Sequence, residues 1–173
     1  MKPSGKSQDI RLLLADANVL IDLASVEGGM GLVGDLIRLG IAEVYLPRAI
    51  YDEIEPMISE EEVLRLGITI LPVTEATTRA AQAYPDAKLS MQDRTLLAIA
   101  IEREFAVWSN DVRLRTNCAK NGVPVFWWFE ILCKLVVRGF VEKEQLIAVA
   151  RAVESVNRYI RLKEVSKRLE AEL

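Results

Sequence analysis

The sequence predicts an α/β domain built as a three-layer sandwich: a mostly parallel five-stranded sheet in the order 3-2-1-4-5, helices on both faces, and extra C-terminal helices. Three observations carry that prediction. Short apolar runs alternate with stretches of helical periodicity, the pattern of parallel strands joined by right-handed crossovers. The chain has 173 residues, 51% hydrophobic and 27% charged, enough for one domain with a sizeable core. No internal repeat, low-complexity tract or Gly/Ser linker interrupts it after residue 9.

The elements follow in order. Residues 1–9 carry lysines with Gly, Ser and Pro and read as a flexible tail. Arg11 to Ala15 is an apolar run ending at a carboxylate, as expected of a strand buried on both faces, with Asp16 at its exit. Asn18 to Val26 reads as a helix with Val19, Leu20 and Leu23 inward. Gly28 and Gly29 break it before a second helix, Leu32 to Leu39, which Gly40 ends. Glu43 to Leu46 is the second strand. Pro47 suits a first helical turn, and the helix Arg48 to Glu55 is limited by Pro56.

Ser59 and Glu62 have capping-box spacing and open a helix to Leu66, after which Gly67 turns into the strand Thr69 to Leu71. A helix from Thr74 to Tyr84 and a loop at Pro85–Asp86 come next. Ser90 and Asp93 form a second capping-box pattern at the head of a helix to Glu104. Ala106 to Ser109 is the fourth strand, Asp111 to Asn121 a helix stopped by Gly122, and Val123 to Phe126 the fifth strand. The remainder is helical with a break at Gly139. The domain is thus read as a core over 10–127 and a helical extension over 128–173, packed on the core or at an interface.

Composition narrows the chemistry. The absence of histidine excludes Ser-His-Asp and Cys-His nucleophile systems and every His-containing zinc site. Cys118 and Cys133 stand fifteen positions apart with no CxxC pair, so they read as small apolar fillers. A net charge of -3 announces no polyanion binding in bulk, so any affinity for nucleic acid is local. No apolar stretch precedes Ile10 to make a secretory signal, and Val123 to Val137 falls short of a membrane span, so a cytoplasmic protein is expected.

In a 3-2-1-4-5 sheet a site forms outside the carboxyl ends of the strands, where the order reverses at strand one. Asp16 ends strand one and Asp111 follows strand four, so both face that crevice. Glu53, after strand two, and Asp93, at the head of the helix leading to strand four, belong to elements whose ends reach it. Converging carboxylates repel unless a cation neutralises them. Mg2+ or Mn2+ takes oxygen ligands, keeps several waters and suits phosphodiester hydrolysis. Asn18 and Ser109 are polar neighbours placed to orient ligands or water. Each acid also has a local reading: Asp16, Asp93 and Asp111 as helix caps, and Glu53, with Asp52 and Glu55, as part of a solvated acidic face.

Together, LLLADANVLIDL around Asp16, LPRAIYDEIE around Glu53, LSMQDRTLLAIAIE around Asp93 and VWSNDVRLR around Asp111 resemble the PIN-domain nucleases over roughly residues 10–127. The chain is most similar to the small prokaryotic members, including the ribonuclease toxins of type II toxin-antitoxin pairs. The resemblance implies Mg- or Mn-dependent cleavage of RNA by Asp16, Glu53, Asp93 and Asp111. Of these, Asp16, Asp93 and Asp111 hold the metal, while Glu53 completes the site or orients the attacking water. It also implies a possible antitoxin partner and a homodimer.

The segment beyond Phe126 departs from the smallest members. Trp127, Trp128 and Phe129 are expected to cover the sheet, and Val153, Val156 and Ile160 to form an apolar stripe for the domain, a dimer partner or an antitoxin. Arg48, Arg94, Arg113 and Arg115 lie near the acids in sequence, as phosphate-binding candidates or solvated surface. Two other functions compete with the endoribonuclease. One is a non-catalytic PIN-like scaffold that binds RNA or protein. The other is an aspartyl-phosphate phosphohydrolase, weakened because Asn18 stands where such enzymes carry a second Asp.

Overall fold

In the computed structural model, which describes residues 10–84, 89–157 and 161–172, five strands form one all-parallel sheet in the order β3-β2-β1-β4-β5. The tail over 1–9, the loop at Pro85–Asp86 and Ile160 lie outside the described residues. The central strand β1 (Ile10–Leu14) pairs with β2 (Ala42–Pro47) on one side and β4 (Ala106–Trp108) on the other. The short β3 (Thr69–Leu71) and β5 (Val125–Phe126) close the two edges. Leu12, Leu13 and Leu14 have no exposed surface. Alternate strand residues point to opposite faces, so β1 is covered on both sides.

The helices form two packed groups. The first contains α1 (Ala17–Ala24), α2 (Gly29–Arg38), α3 (Arg48–Ile54), α8 (Trp128–Val137), α9 (Lys143–Val156) and α10 (Leu162–Glu172). The second contains α5 (Glu75–Ala83), α6 (Met91–Arg103) and α7 (Val112–Lys120). Right-handed crossovers put them on opposite faces, because the chain runs one way from β1 to β3 and the other way from β4 to β5. The short α4 (Glu60–Arg65) precedes β3 and carries the expected capping box of Ser59 and Glu62.

Local departures have simple causes. The second helix starts at Gly29 instead of Leu32. A Cβ at Gly29 would stand 2.2 Å from the Leu23 carbonyl oxygen, so only glycine lets α2 begin so close to the end of α1. Pro47 ends β2 and caps α3 from an extended conformation (ψ 138°) instead of entering the helical turn. The fifth strand is shorter than expected because Pro124 has no N–H for the ladder, although its carbonyl accepts from the Val107 N–H at 2.8 Å.

The extension is built into the core. The indole N–H of Trp108 donates to the Trp128 carbonyl at 3.0 Å, and the indole N–H of Trp128 donates to the Val19 carbonyl at 3.3 Å. Both tryptophans are fully buried, as are Phe129, Leu146, Val153 and Val165. Trp128 and Phe129 therefore cover the sheet as expected, whereas Trp127 is only half-buried. Val156, expected in the stripe with Val153, is exposed at the last turn of α9. Just beyond it, the Asn157 amide donates to both oxygens of Asp22 at 3.0 and 2.9 Å. Burial raises the Asp22 pKa; the Asn157 bond opposes this and the charge of Asp16 adds to it.

Two predictions follow from packing and protonation. Replacing Gly29 by Ala drives a methyl group into backbone that cannot yield, so the urea midpoint falls by an amount equivalent to about 1–3 kcal/mol, with an unchanged m-value. Asp22 has a raised folded pKa, so its contribution to stability is fullest below the unfolded carboxylate value near ~3.9 and is lost as pH rises through the folded value. Asp22→Asn removes the buried charge and keeps one of the two Asn157 contacts, through its amide oxygen. In chelator, its melting temperature exceeds the parent's at pH 7 to 8, and the gap closes toward pH 3; an equal gap at both ends would contradict this assignment.

Candidate active site

The carboxyl edge of the sheet gathers the acids through the pairing of β1 with β4. Leu14 lies opposite Trp108 in the parallel register, and the Ala15 N–H donates to the Trp108 carbonyl at 3.0 Å. The two chains therefore leave the sheet together, one through Asp16 and the other through Ser109, Asn110 and Asp111. The Asn110 N–H closes the gap between them by donating to Asp16 Oδ2 at 2.9 Å. This is the point of strand-order reversal, where an open parallel sheet leaves a crevice.

Asp16 is the N-cap of α1. Its Oδ1 accepts from the backbone N–H of Asn18 at 3.0 Å and from the Asn18 amide at 3.1 Å. Asp111 is the N-cap of α7, with Oδ1 accepting from the Leu114 N–H at 2.7 Å. The Asp111 N–H donates to Ser109 Oγ at 2.9 Å, and Ser109 is fully buried. Thus Asn18 contacts the Asp16 carboxylate directly, whereas Ser109 holds the backbone of Asp111. The N-terminal ends of two helices thus meet at these carboxylates. Both line a cleft of about 780 Å3.

The other two acids enter from neighbouring elements. Asp93 completes the capping box of α6: Ser90 Oγ donates to Asp93 Oδ2 at 2.7 Å, and the Asp93 N–H donates back to Ser90 Oγ at 3.0 Å. Glu53 Oε1 accepts from the Gln92 amide at 2.7 Å, which fastens α3 to the first turn of α6 beside Asp93. Neither Glu53 nor Asp93 lines the cleft. Among the described residues, no three acids or cysteines come together closely enough to hold one metal ion. The expected set of Asp16, Asp93 and Asp111 is therefore not drawn into a three-ligand centre. Asp16 and Asp111 share the cleft, and one Asp93 oxygen is engaged by Ser90.

The arginines divide similarly. Arg48 is paired with Glu60 at 2.9 and 3.1 Å, and this exposed pair raises the Arg48 pKa and lowers that of Glu60. Arg94 donates to the Leu89 carbonyl at 3.1 Å. Of the four arginines singled out, Arg115 borders the cleft, while Arg48, Arg94 and Arg113 do not.

Sequence reasoning missed six cleft residues: Asp22, Asn110, Val112, Trp127, Val156 and Asn157. Asp22 had a signal, since it lies four residues after Asn18 and so on the same face of α1. Asn157 had none, because its place depends on how α9 packs. The donor set of the cleft is oxygen-rich, and Cys118 is no soft alternative: burial, aided by the charge of Asp93, pushes its thiol up to about 12. Magnesium is commonly held by one or two carboxylates with water completing the shell, so the pair at Asp16 and Asp111 fits a hard divalent cation.

No protein-family model matches the chain, and no curated protein matches it in sequence. Among solved structures, it is similar to a PilT N-terminus domain protein from the hyperthermophilic archaeon Sulfolobus solfataricus P2. The match covers 72% of this chain and 92% of that one, at 11% sequence identity and a TM-score of 0.49.

Proposed function

We propose that this chain is a PIN-domain endoribonuclease that hydrolyses RNA phosphodiester bonds with Mg2+ or Mn2+ as cofactor. The observation that carries the reading is the bond from the Asn110 N–H to Asp16 Oδ2, which joins the exits of β1 and β4 and leaves Asp16 and Asp111 in one cleft. Asp16 and Asp111 would hold the cation, with Asn18 and Ser109 fixing their orientation. When bound, such an ion supplies a more acidic water and charge stabilisation at a phosphoryl oxygen.

Asp93 and Glu53 add negative charge from α6 and α3, and Gln92 holds Glu53 in place. Arg115, at the border of the cleft, is suited to a substrate phosphate. A second reading, a PIN-like scaffold that binds RNA or protein without cutting it, is favoured by one observation: no three-acid group forms among the described residues.

Asp16→Asn separates the two readings. Asparagine caps a helix as well as aspartate does, so the circular dichroism stays that of the parent. Cleavage of labelled RNA in Mn2+ falls more than about 100-fold. Cleavage at the parental rate would refute the nuclease assignment. A parent protein that neither binds Mn2+ calorimetrically nor cuts any of a panel of RNAs is the scaffold. Ser109→Ala, which removes the acceptor for the Asp111 N–H, weakens Mn2+ binding by about 10- to 100-fold in the same titration while leaving the Asp16 bonds intact. For the toxin role, induced expression arrests growth with the parent chain and not with Asp16→Asn.

A further inference from the structure

The extension reaches the cleft acids through the interior, by way of a residue that lines no part of the cleft. Trp128 opens α8 just after β5, and β5 pairs with β4 so that Phe126 lies opposite Trp108. This short step carries the indole to α1, where its N–H donates to the Val19 carbonyl at 3.3 Å. The Trp128 carbonyl in turn accepts from the indole N–H of Trp108, the last residue of β4, at 3.0 Å. Each of these carbonyls belongs to the first turn of a helix and also serves the N–H four residues on, so the indole takes the second lone pair. Both tryptophans are fully buried, where an N–H deprived of its partner costs free energy.

The two bonds complete a closed circuit. At the exit of β1 the Ala15 N–H donates to the Trp108 carbonyl at 3.0 Å. Trp108 leads to Trp128, Trp128 leads to Val19, and the chain from Val19 back to Ala15 closes the ring. Asp16 stands in that stretch as the cap of α1, while Asn110 and Asp111 follow Trp108 on the other side. Linked buried bonds restrain one another, so the ring fixes its dimensions better than any single link. We propose that Trp128 is a positioning residue for this site: acting through Val19 and Trp108, it holds α1 to the exit of β4 and so sets the spacing of Asp16 and Asp111. A phenylalanine would fill much of the same space and donate nothing. The proposal rests on the reading that the two acids serve one cation, and the experiment keeps the two apart.

The spacing is read without metal from the Asn110 N–H, which donates to Asp16 Oδ2 at 2.9 Å across the two exits. Hydrogen exchange of the full chain in chelator, followed by NMR, compares it with the Ile41 N–H. That group donates to the Leu36 carbonyl at 2.9 Å just before β2, at the opposite edge of the sheet. Trp128→Phe keeps a ring in the core, removes the indole N–H, and speeds exchange at Asn110 about tenfold relative to Ile41. Leu132→Val thins the same helix at a fully buried position and leaves both indole bonds in place, so the two amides change alike. In a calorimetric titration, Trp128→Phe weakens Mn2+ binding about threefold to tenfold, and Leu132→Val does not. Melting curves establish that the variants are folded; if Trp128→Phe is not, Trp108→Phe opens the circuit at its other donor and is read in the same way.

Equal acceleration at Asn110 and Ile41, or none at either, makes Trp128 a packing residue and overturns the proposal. Parental Mn2+ affinity in Trp128→Phe overturns it as well. If the parent cuts RNA in Mn2+ while exchange at Asn110 is unmoved, the positioning role is wrong and the nuclease reading stands. If exchange at Asn110 accelerates selectively and the parent neither binds Mn2+ nor cuts RNA, Trp128 still sets the spacing and the nuclease reading falls.

Discussion

The site depends on two parallel strands ending in register. Because β1 and β4 are adjacent and the Ala15 N–H bonds to the Trp108 carbonyl, the next residues of each chain emerge within hydrogen-bond reach of one another. The bond from the Asn110 N–H to Asp16 then extends the ladder by one step, with a side chain in place of a backbone carbonyl. Parallel strands cannot be joined by a short hairpin, so each must be followed by a crossover. Both crossovers here open with a helix whose first turn needs a cap. Asp16 and Asp111 supply it, and their carboxylates are fixed at the carboxyl edge by the same bonds that start α1 and α7.

The C-terminal helices are coupled to this edge through the interior. Trp108 is the last residue of β4 and Val19 lies in the first turns of α1, so the two indole bonds through Trp128 clamp the strand and helix that carry the cleft acids. Buried indole N–H groups require partners, and here both find backbone carbonyls. At the cleft, the Asn157 amide grips the buried Asp22 and brings the end of α9 alongside. Removing the extension would strip the cover from Trp108 and open one wall of the cleft. For this reason, a division of the chain at residue 127 describes the order of the elements and not separable units.

Much of this was legible in sequence, for physical reasons that can be named. Leu12 to Leu14 formed an apolar run followed by a carboxylate, which specifies a covered strand, and the alternation of strands and helices specified a mostly parallel sheet. Ser90 and Asp93 specified a helix start, which the structure contains in full. What the sequence obscured was tertiary. Gly29 reads as a breaker until the close approach of the Leu23 carbonyl makes it the first residue of a helix. Arg48 reads as a phosphate candidate until α4 brings Glu60 to it. Trp127 reads as one of three core aromatics, and no periodicity marks it as the one left half-buried.

The acids of the cleft also carry a conflict that explains their incomplete assembly. A carboxylate that caps a helix has its position set by N–H donors, whereas one that binds metal must turn an oxygen toward the ion. Asp111 meets both demands, because the Leu114 N–H takes Oδ1 and the residue still lines the cleft. Asp16 accepts on both oxygens, from Asn18 and Asn110, and Asp93, which lies outside the cleft, on one. Ser90 contacts Asp93 Oδ2 through both the hydroxyl and the backbone N–H, at 2.7 and 3.4 Å. Asp22 resists ionisation because it is buried and near Asp16. Each added negative charge at this edge makes the next less favourable, and a divalent cation reverses that trend by rewarding close approach. The cleft thus binds its acids to the scaffold one at a time, and under the proposed function a cation would give them a reason to converge.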